Sequence, residues 1–161
     1  MAFDAFLKLE GIKGESKDKT YPAPAIHIES FSFGMSQQGT FGSNTGGGAG
    51  KVNVHDLSVT KYVDNASAEL ALHCANGKHI KSGLLVLRKA GEKPVDYLKI
   101  KLEDILVSSV QHSGHSGGDV PMESLSLNFC KFWMEYQKQK ADGTAEKGSE
   151  MGWDVAANAK L

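Results

Sequence analysis

Residues 42–54, GSNTGGGAGKVNV, place five glycines in the nine positions before Lys51. Backbone N–H groups freed by glycine, followed by a lysine, are the means by which a phosphate-binding loop cradles an anion. The spacing denies that chemistry here. In a G-x-x-x-x-G-K-[ST] register ending at Gly50 and Lys51, Thr45 stands where the first glycine is needed, and Val52 replaces the metal-binding hydroxyl. Such a loop must also open a helix whose N-terminus holds the anion. The residues that follow, VNVHDLSV, alternate as a strand does. No G-x-G-x-x-G fits either, so nucleotide binding is excluded. The glycines are expected to form a long adaptable connection between strands, open to being ordered by a neighbour.

The other reactive side chains are equally thin. His112 and His115 lie in HSGHSGGD, and His73, Cys74 and His79 surround a predicted helix end. Zinc needs three or four rigidly held ligands, which a pair of histidines in a glycine-rich loop does not supply. Adjacent His73 and Cys74 point about 100° apart on a helix. No metal and no cofactor is expected. The one adjacent acidic pair, Glu103–Asp104, would face opposite sides of a strand. Cys74 and Cys130 sit in apolar-patterned segments and read as buried, reduced thiols. No serine occupies a G-x-S-x-G elbow. No catalytic residue is assigned, and the chain reads as a non-enzyme.

The elements around these residues are mostly strands. FDAFLKLEGI puts Phe3, Ala5, Leu7 and Leu9 on one face. Four further segments change parity midway. AIHIESFSFGM passes from Ile26 and Ile28 to Phe31, Phe33 and Met35. KVNVHDLSVTKYV passes from Val52 and Val54 to Leu57, Val59 and Val63. DYLKIKLEDILVSSV passes from Leu98, Ile100 and Leu102 to Ile105 and Val107. MESLSLNFCKFWMEY passes from Leu125, Leu127 and Phe129 to Phe132, Met134 and Tyr136. Such slips suggest bulges, or strands bending from one packed layer into another; partial burial of both faces is the alternative. HIKSGLLVLRKAG and EMGWDVAAN supply further strands. One segment differs: DNASAELALHCANGK has capping residues in Asp64, Asn65 and Ser67 and a C-terminal Gly77, predicting a helix over about 65–76. Residues 1–161 are expected to form a single domain.

Composition narrows the partners. The net charge is −1, with 40% hydrophobic and 23% charged residues, so no electrostatic footprint calls for nucleic acid or an anionic membrane. MAFDAFLKLEG lacks the cationic and apolar regions of a secretory signal. No apolar run approaches the length of a membrane span. The charged run KGESKDK (13–19) reads as a solvated loop. Ser32 between Phe31 and Phe33, and Ser124, Ser126 and Asn128 alternating with Leu125 and Leu127, would give a sheet one apolar and one small polar face. Long strands with open edges must be covered or used for assembly.

The segments GIKGESKDK (11–19), FSFGMSQQG (31–39), GGGAGKVNVHDLSVTKYVD (46–64), YLKIKLEDILVSSV (97–110), ESLSLNF (123–129), YQKQKADG (136–143) and GWD (152–154) occur in this order. Together they resemble the Hcp family, the haemolysin-coregulated tube proteins of the bacterial type VI secretion system. The resemblance covers essentially the whole chain. It departs at the proline-rich turn Tyr21–Ala25 and at the histidine-rich HSGHSGGD. It implies two packed antiparallel sheets in a distorted barrel with one short helix, closed into hexameric rings that stack as a hollow tube. It also implies partners: a spike protein, a contractile sheath, and effectors held in the lumen, with export from the bacterial cytoplasm without a signal peptide. Within that assembly Ser32 is assigned to the lumen face. Gly46, Gly47, Gly48, Ala49, Gly50 and Lys51 are assigned to a ring-stacking or intersubunit loop. The competing readings are a phage-like tail tube protein, a secreted small β-barrel enzyme and a monomeric ligand-binding barrel.

Overall fold

The alternating segments become strands, and each change of parity becomes a place where the chain passes from one layer or paired arm to another. The computed structural model describes residues 3–42, 48, 50–91 and 94–161. Its strands are β1 (Phe3–Leu9), β2 (Ile26–Ile28), β3 (Ser30–Ser32), β4 (Met35–Ser36), β5 (Asn53–Val54), β6 (Leu57–Tyr62), β7 (Ile80–Lys89), β8 (Val95–Ser113), β9 (Met122–Gln139), β10 (Ala145–Asp154) and β11 (Ala159–Lys160), with one helix, α1 (Ser67–Asn76). Nine strands share one antiparallel sheet, whose main path runs β11-β10-β9-β8-β7-β1-β2. The long strands β8 and β9 stay paired from Leu98–Tyr136 to Ser113–Met122, but their outer partners change along the way. β7 accompanies β8 only as far as Ile105, and β10 accompanies β9 from Gln139 to Lys131. At the other end β6 takes over beside β9, from Leu127 to Met122, with β3 beyond it.

The expected two packed layers are therefore one sheet folded over on itself and left open. Leu7, Leu85, Ile100 and Leu102 from one layer pack in a single buried cluster with Leu57, Val59, Val107, Leu125 and Leu127 from the other. The fold line lies where the two longest strands slip parity together. Burial passes from Leu102 to Ile105 in β8, and from Phe129 to Phe132 in β9, with Glu103 opposite Lys131 and Ile105 opposite Phe129. Asp104, at the corner, has φ +54, a left-handed conformation that lets a strand skip one side chain and turn. Of the other two slips, one is a second crossing between layers and one is the step from a separate arm into the sheet. Ile28 ends on the β1 side, and Phe31 begins on the β6 side. Val54 belongs to the separate β4–β5 arm, and Leu57 to the main sheet.

Helix α1 plugs the layers with Leu70, while Ala66 just ahead of it is also buried in the cluster. Its start is held by Asp64, whose Oδ1 accepts from the Ala66 N–H at 2.9 Å and whose own N–H donates to Ser67 Oγ at 2.9 Å. Its end is Gly77 at φ +68, whose N–H donates to the His73 carbonyl, the left-handed cap that residues other than glycine rarely adopt.

In the charged run 13–19, Lys13, Glu15, Lys17 and Lys19 are exposed as expected of a solvated loop, but the surrounding segment 11–25 is tied down on the sheet. Phe6, on the outer face of β1, stacks on Tyr21 with ring centres 5.1 Å apart, and with Val86 and Ala25 forms a second small core. Arg88 clamps the segment down, donating to both carboxylate oxygens of Asp18 (2.9 and 2.7 Å) and to Asp4 (3.1 Å). That hydrogen-bonded guanidinium holds the Asp18 carboxyl far below the ordinary carboxylate range. Burial, and then the hydrogen bond to Asp96, push the Tyr21 phenol well above its ordinary value. Gly14 lets the loop close, because a Cβ there would lie 2.5 Å from the Ala25 carbonyl oxygen.

Both cysteines are free, but Cys130 is exposed and Cys74 only half buried. The expectation of two core thiols fails at Cys130, because the alternation that turns Leu125, Leu127 and Phe129 inward turns it outward. Because Asp18 has a depressed folded pKa, its stabilising contribution is complete above the unfolded value of about 3.9 and is lost as pH falls below it. Denaturant unfolding across pH should therefore show wild type ahead of Asp18→Asn by a constant margin from pH 5 to 8. That margin should shrink steadily below about pH 4.

Candidate functional site

Where the second layer turns away from the core, it presents hydroxyl groups in register. Ser32 lies opposite Ser58, Ser58 opposite Ser126, and Ser126 opposite Ser109, so one row crosses β3, β6, β9 and β8. A second row, two residues along, is Ser30, Thr60, Ser124 and Gln111. The two rows line a groove of about 310 Å³ together with the edges of Phe31, Val59, Val110 and Leu125. The period-two alternation that puts Leu57, Val59, Leu125 and Leu127 inward is what puts these residues outward. Hydroxyls bond across the strands: Ser30 to Thr60 at 2.5 Å, Ser109 to Ser126 at 2.5 Å and Ser108 to Ser126 at 2.8 Å. The rows carry no charged side chain. At their end Asp56 accepts from Ser108 (2.6 Å) and from Asn128 (2.9 Å).

Directly behind the hydroxyl face lies a buried ion pair. Lys61 and Glu123 are register partners in β6 and β9, and both side chains are wholly inaccessible. Lys61 Nζ donates to Glu123 Oε1, to Asp64 Oδ1 at 2.7 Å and to the Tyr62 carbonyl at 3.1 Å. Glu123 also accepts from Ser67 Oγ at 3.1 Å, and its Oε2 lies 2.6 Å from His112 Nε2. One network thus ties β6, β9, the end of β8 and the start of α1 together. Alternation through Leu57, Val59 and Val63 picks out the apolar phase of β6 but not Lys61, which shares it. The available signal was a pair of opposite charges in core phase, Leu57-Val59-Lys61 and Glu123-Leu125-Leu127.

The sheet that bears the hydroxyl rows has two unpaired margins. Among the described residues β3 pairs only with β6, and β8 beyond Ile105 pairs only with β9. The glycine-rich stretch returns from a separate arm closed by β4–β5 pairing, Met35 to Val54 and Ser36 to Asn53. Thr40 Oγ1 donates to the Gly48 carbonyl at 2.6 Å and accepts from its N–H at 3.0 Å. Gly48, Gly50 and Lys51 are described and all three are exposed; Gly46, Gly47 and Ala49 lie outside the described residues. The stretch leads into β5 and β6 rather than into a helix. Among the described residues no three His, Cys, Asp or Glu side chains are grouped to hold a metal, and no helix is long and apolar enough to cross a membrane. Ser32 is exposed in the hydroxyl row, while Phe31 and Phe33 pack against the core.

Residues 6–136 match the family described as "Type VI secretion system effector, Hcp". The chain belongs to the Hcp family. It is 47% identical to protein hcp1 of Pseudomonas aeruginosa over 160 residues, 98% of each chain. A solved structure described as a type six secretion system protein superposes with a TM-score of 0.94 at 31% identity, covering 99% of this chain and all of that one. Hcp1 of Salmonella typhimurium gives 0.81 at 35% identity, with both chains fully covered. Hcp proteins are structural tube components of the type VI secretion system that assemble as hexameric rings, and this Hcp chain is a tube protein rather than an enzyme. The mostly β fold with one short helix agrees with its Hcp neighbours.

Removing one member of a buried pair leaves the other charge uncompensated, which costs about 3–5 kcal/mol. Lys61→Met should lose stability of that order in denaturant unfolding at fixed protein concentration. Lys61→Met combined with Glu123→Leu should recover more than half of the loss, because no buried Glu123 charge is then left unpaired.

Proposed function

We propose that copies of this chain join head to tail, the open edge of β3 in one meeting the open second half of β8 in the next, so that the hydroxyl rows form a continuous inner wall. Heterologous contacts of this kind close into a ring when the rotation allows. Two free edges on opposite sides of one four-stranded layer, with an uncharged hydroxyl face between them, are the observation that carries this reading. The apolar face of the layer is taken up by the core, leaving the hydroxyl face for a water-filled bore. The whole chain acts as one tube domain, made in the bacterial cytoplasm and exported by the type VI machine. Its rings stack inside a contractile sheath behind a spike, and the bore carries and shelters effector proteins before delivery.

In this reading Ser32 touches cargo. Ser32→Gln should leave a particle of about six times the 17.3 kDa chain, yet retain a co-expressed effector poorly in pull-down. Undiminished retention in intact rings would remove Ser32 from the cargo surface.

The loop Gly46–Lys51 is assigned to contact with a neighbouring copy or ring. Ordering such a loop costs roughly 1–2 kcal/mol of backbone entropy per residue, which suits reversible stacking. Shortening Gly46–Gly48 should preserve rings and reduce the length of stacks seen by negative-stain imaging. Stacks of unchanged length at equal protein concentration would rule the loop out as that contact.

A further inference from the structure

Ser108 is the extra residue of a bulge in β8, between Val107 opposite Leu127 and Ser109 opposite Ser126. A bulge re-aims one side chain, and here it adds a second hydroxyl to the outward face beside Ser109. The Ser108 hydroxyl donates to Asp56 Oδ2 at 2.6 Å, and Asn128 Nδ2 donates to Asp56 Oδ1 at 2.9 Å. With its own proton on Asp56, Ser108 accepts from Ser126 at 2.8 Å, and Ser126 accepts from Ser109 at 2.5 Å. The hydroxyls thus donate one after another toward a single carboxylate, and each bond polarises the next.

That carboxylate differs from those that hold the fold. Asp4 and Asp18 share Arg88, and Asp64 and Glu123 share Lys61. Asp56 is half-buried, yet among the described residues its partners are two neutral donors, Ser108 and Asn128. An ionised carboxylate offers about four acceptor positions, so these two donors leave it capacity for a cationic ligand.

Leu106 stands beside it. Ile105 and Val107 are buried in the core cluster, while Leu106 between them is half-buried on the opposite face, in register with Asn128. A fixed carboxylate next to a leucine edge matches a side chain with an apolar stem and a cationic head. Lysine and arginine have that form.

We propose that Asp56 and Leu106 bind a lysine or arginine side chain of a protein held in the bore. This rests on the tube reading and names the chemistry of its cargo, a chain that presents basic residues. Cyclic symmetry repeats the carboxylate at one level of the bore, so a basic segment meets one from every side. The serine and threonine rows themselves stay uncharged, and charge is read at the level of Asp56 alone.

The test uses rings of the full chain, verified by solution mass, and a fluorescein-labelled penta-lysine peptide followed by anisotropy. Asp56→Asn keeps an oxygen for Asn128 and removes the charge. It should weaken peptide binding about tenfold and flatten its dependence on sodium chloride, with ring mass and unfolding midpoint unchanged. Glu150→Gln, on the outer strand β10, should bind as wild type does. Leu106→Lys gives the carboxylate a cation from its own chain and should also abolish the binding, which decides the matter if Asp56→Asn rings do not form. Equal affinity in wild-type and variant rings, or an equal loss in Glu150→Gln, would overturn the inference and leave the tube reading standing. A wild-type protein that never exceeds one chain in mass would instead defeat the tube reading itself.

Discussion

The structure turns on a lysine and a glutamate buried face to face. Lys61 and Glu123 occupy core positions of neighbouring strands, in the phase otherwise held by leucine and valine. Two charges taken out of water are tolerable only when their remaining hydrogen-bonding capacity is met. Asp64, Ser67, the Tyr62 carbonyl and His112 meet it. Meeting it fixes where α1 begins, how β6 registers on β9 and where β8 ends. An apolar pair of similar volume could slide by two residues and still bury its surface; this pair cannot.

That register matters because the outward face is built from it. Ser58 falls opposite Ser126, and Thr60 opposite Ser124, only while Lys61 faces Glu123. The interior thus sets the pattern of the exterior. The second layer is specified by polar bonds from behind, and the first layer by ordinary apolar packing plus the Arg88 clamp on residues 11–25.

Much of this was legible in the sequence, for a physical reason. Side chains alternate with period two, so Ile26, Leu57, Ile100, Leu102 and Leu125 announce both the strand and its inner face. A parity slip announces a crossing, and those near Asp104 and Cys130 proved to be a single corner seen from two strands. Ser32 could be placed outward by the same rule. What stayed hidden depends on contacts between residues far apart in the chain. Lys61 and Glu123 are 62 positions apart, and each alone reads as an interruption of an apolar pattern. Asp18 reads as part of a charged run, because nothing nearby in sequence reveals Arg88, 70 residues on. Cys130 is the outward neighbour of Phe129, and only the apolar company around it suggests a core thiol.

The hydroxyl rows have a further consequence for calibre. Serine and threonine project only two or three heavy atoms from the backbone, so the open space in front of β3, β6, β9 and β8 is bounded by main chain rather than by movable side chains. A wall of that kind has little rotamer freedom to lose when something slides along it. Lining a bore, as proposed for the tube, it would sort what passes by girth rather than by charge, and cyclic repetition would turn any one bulky replacement into a constriction around the whole bore.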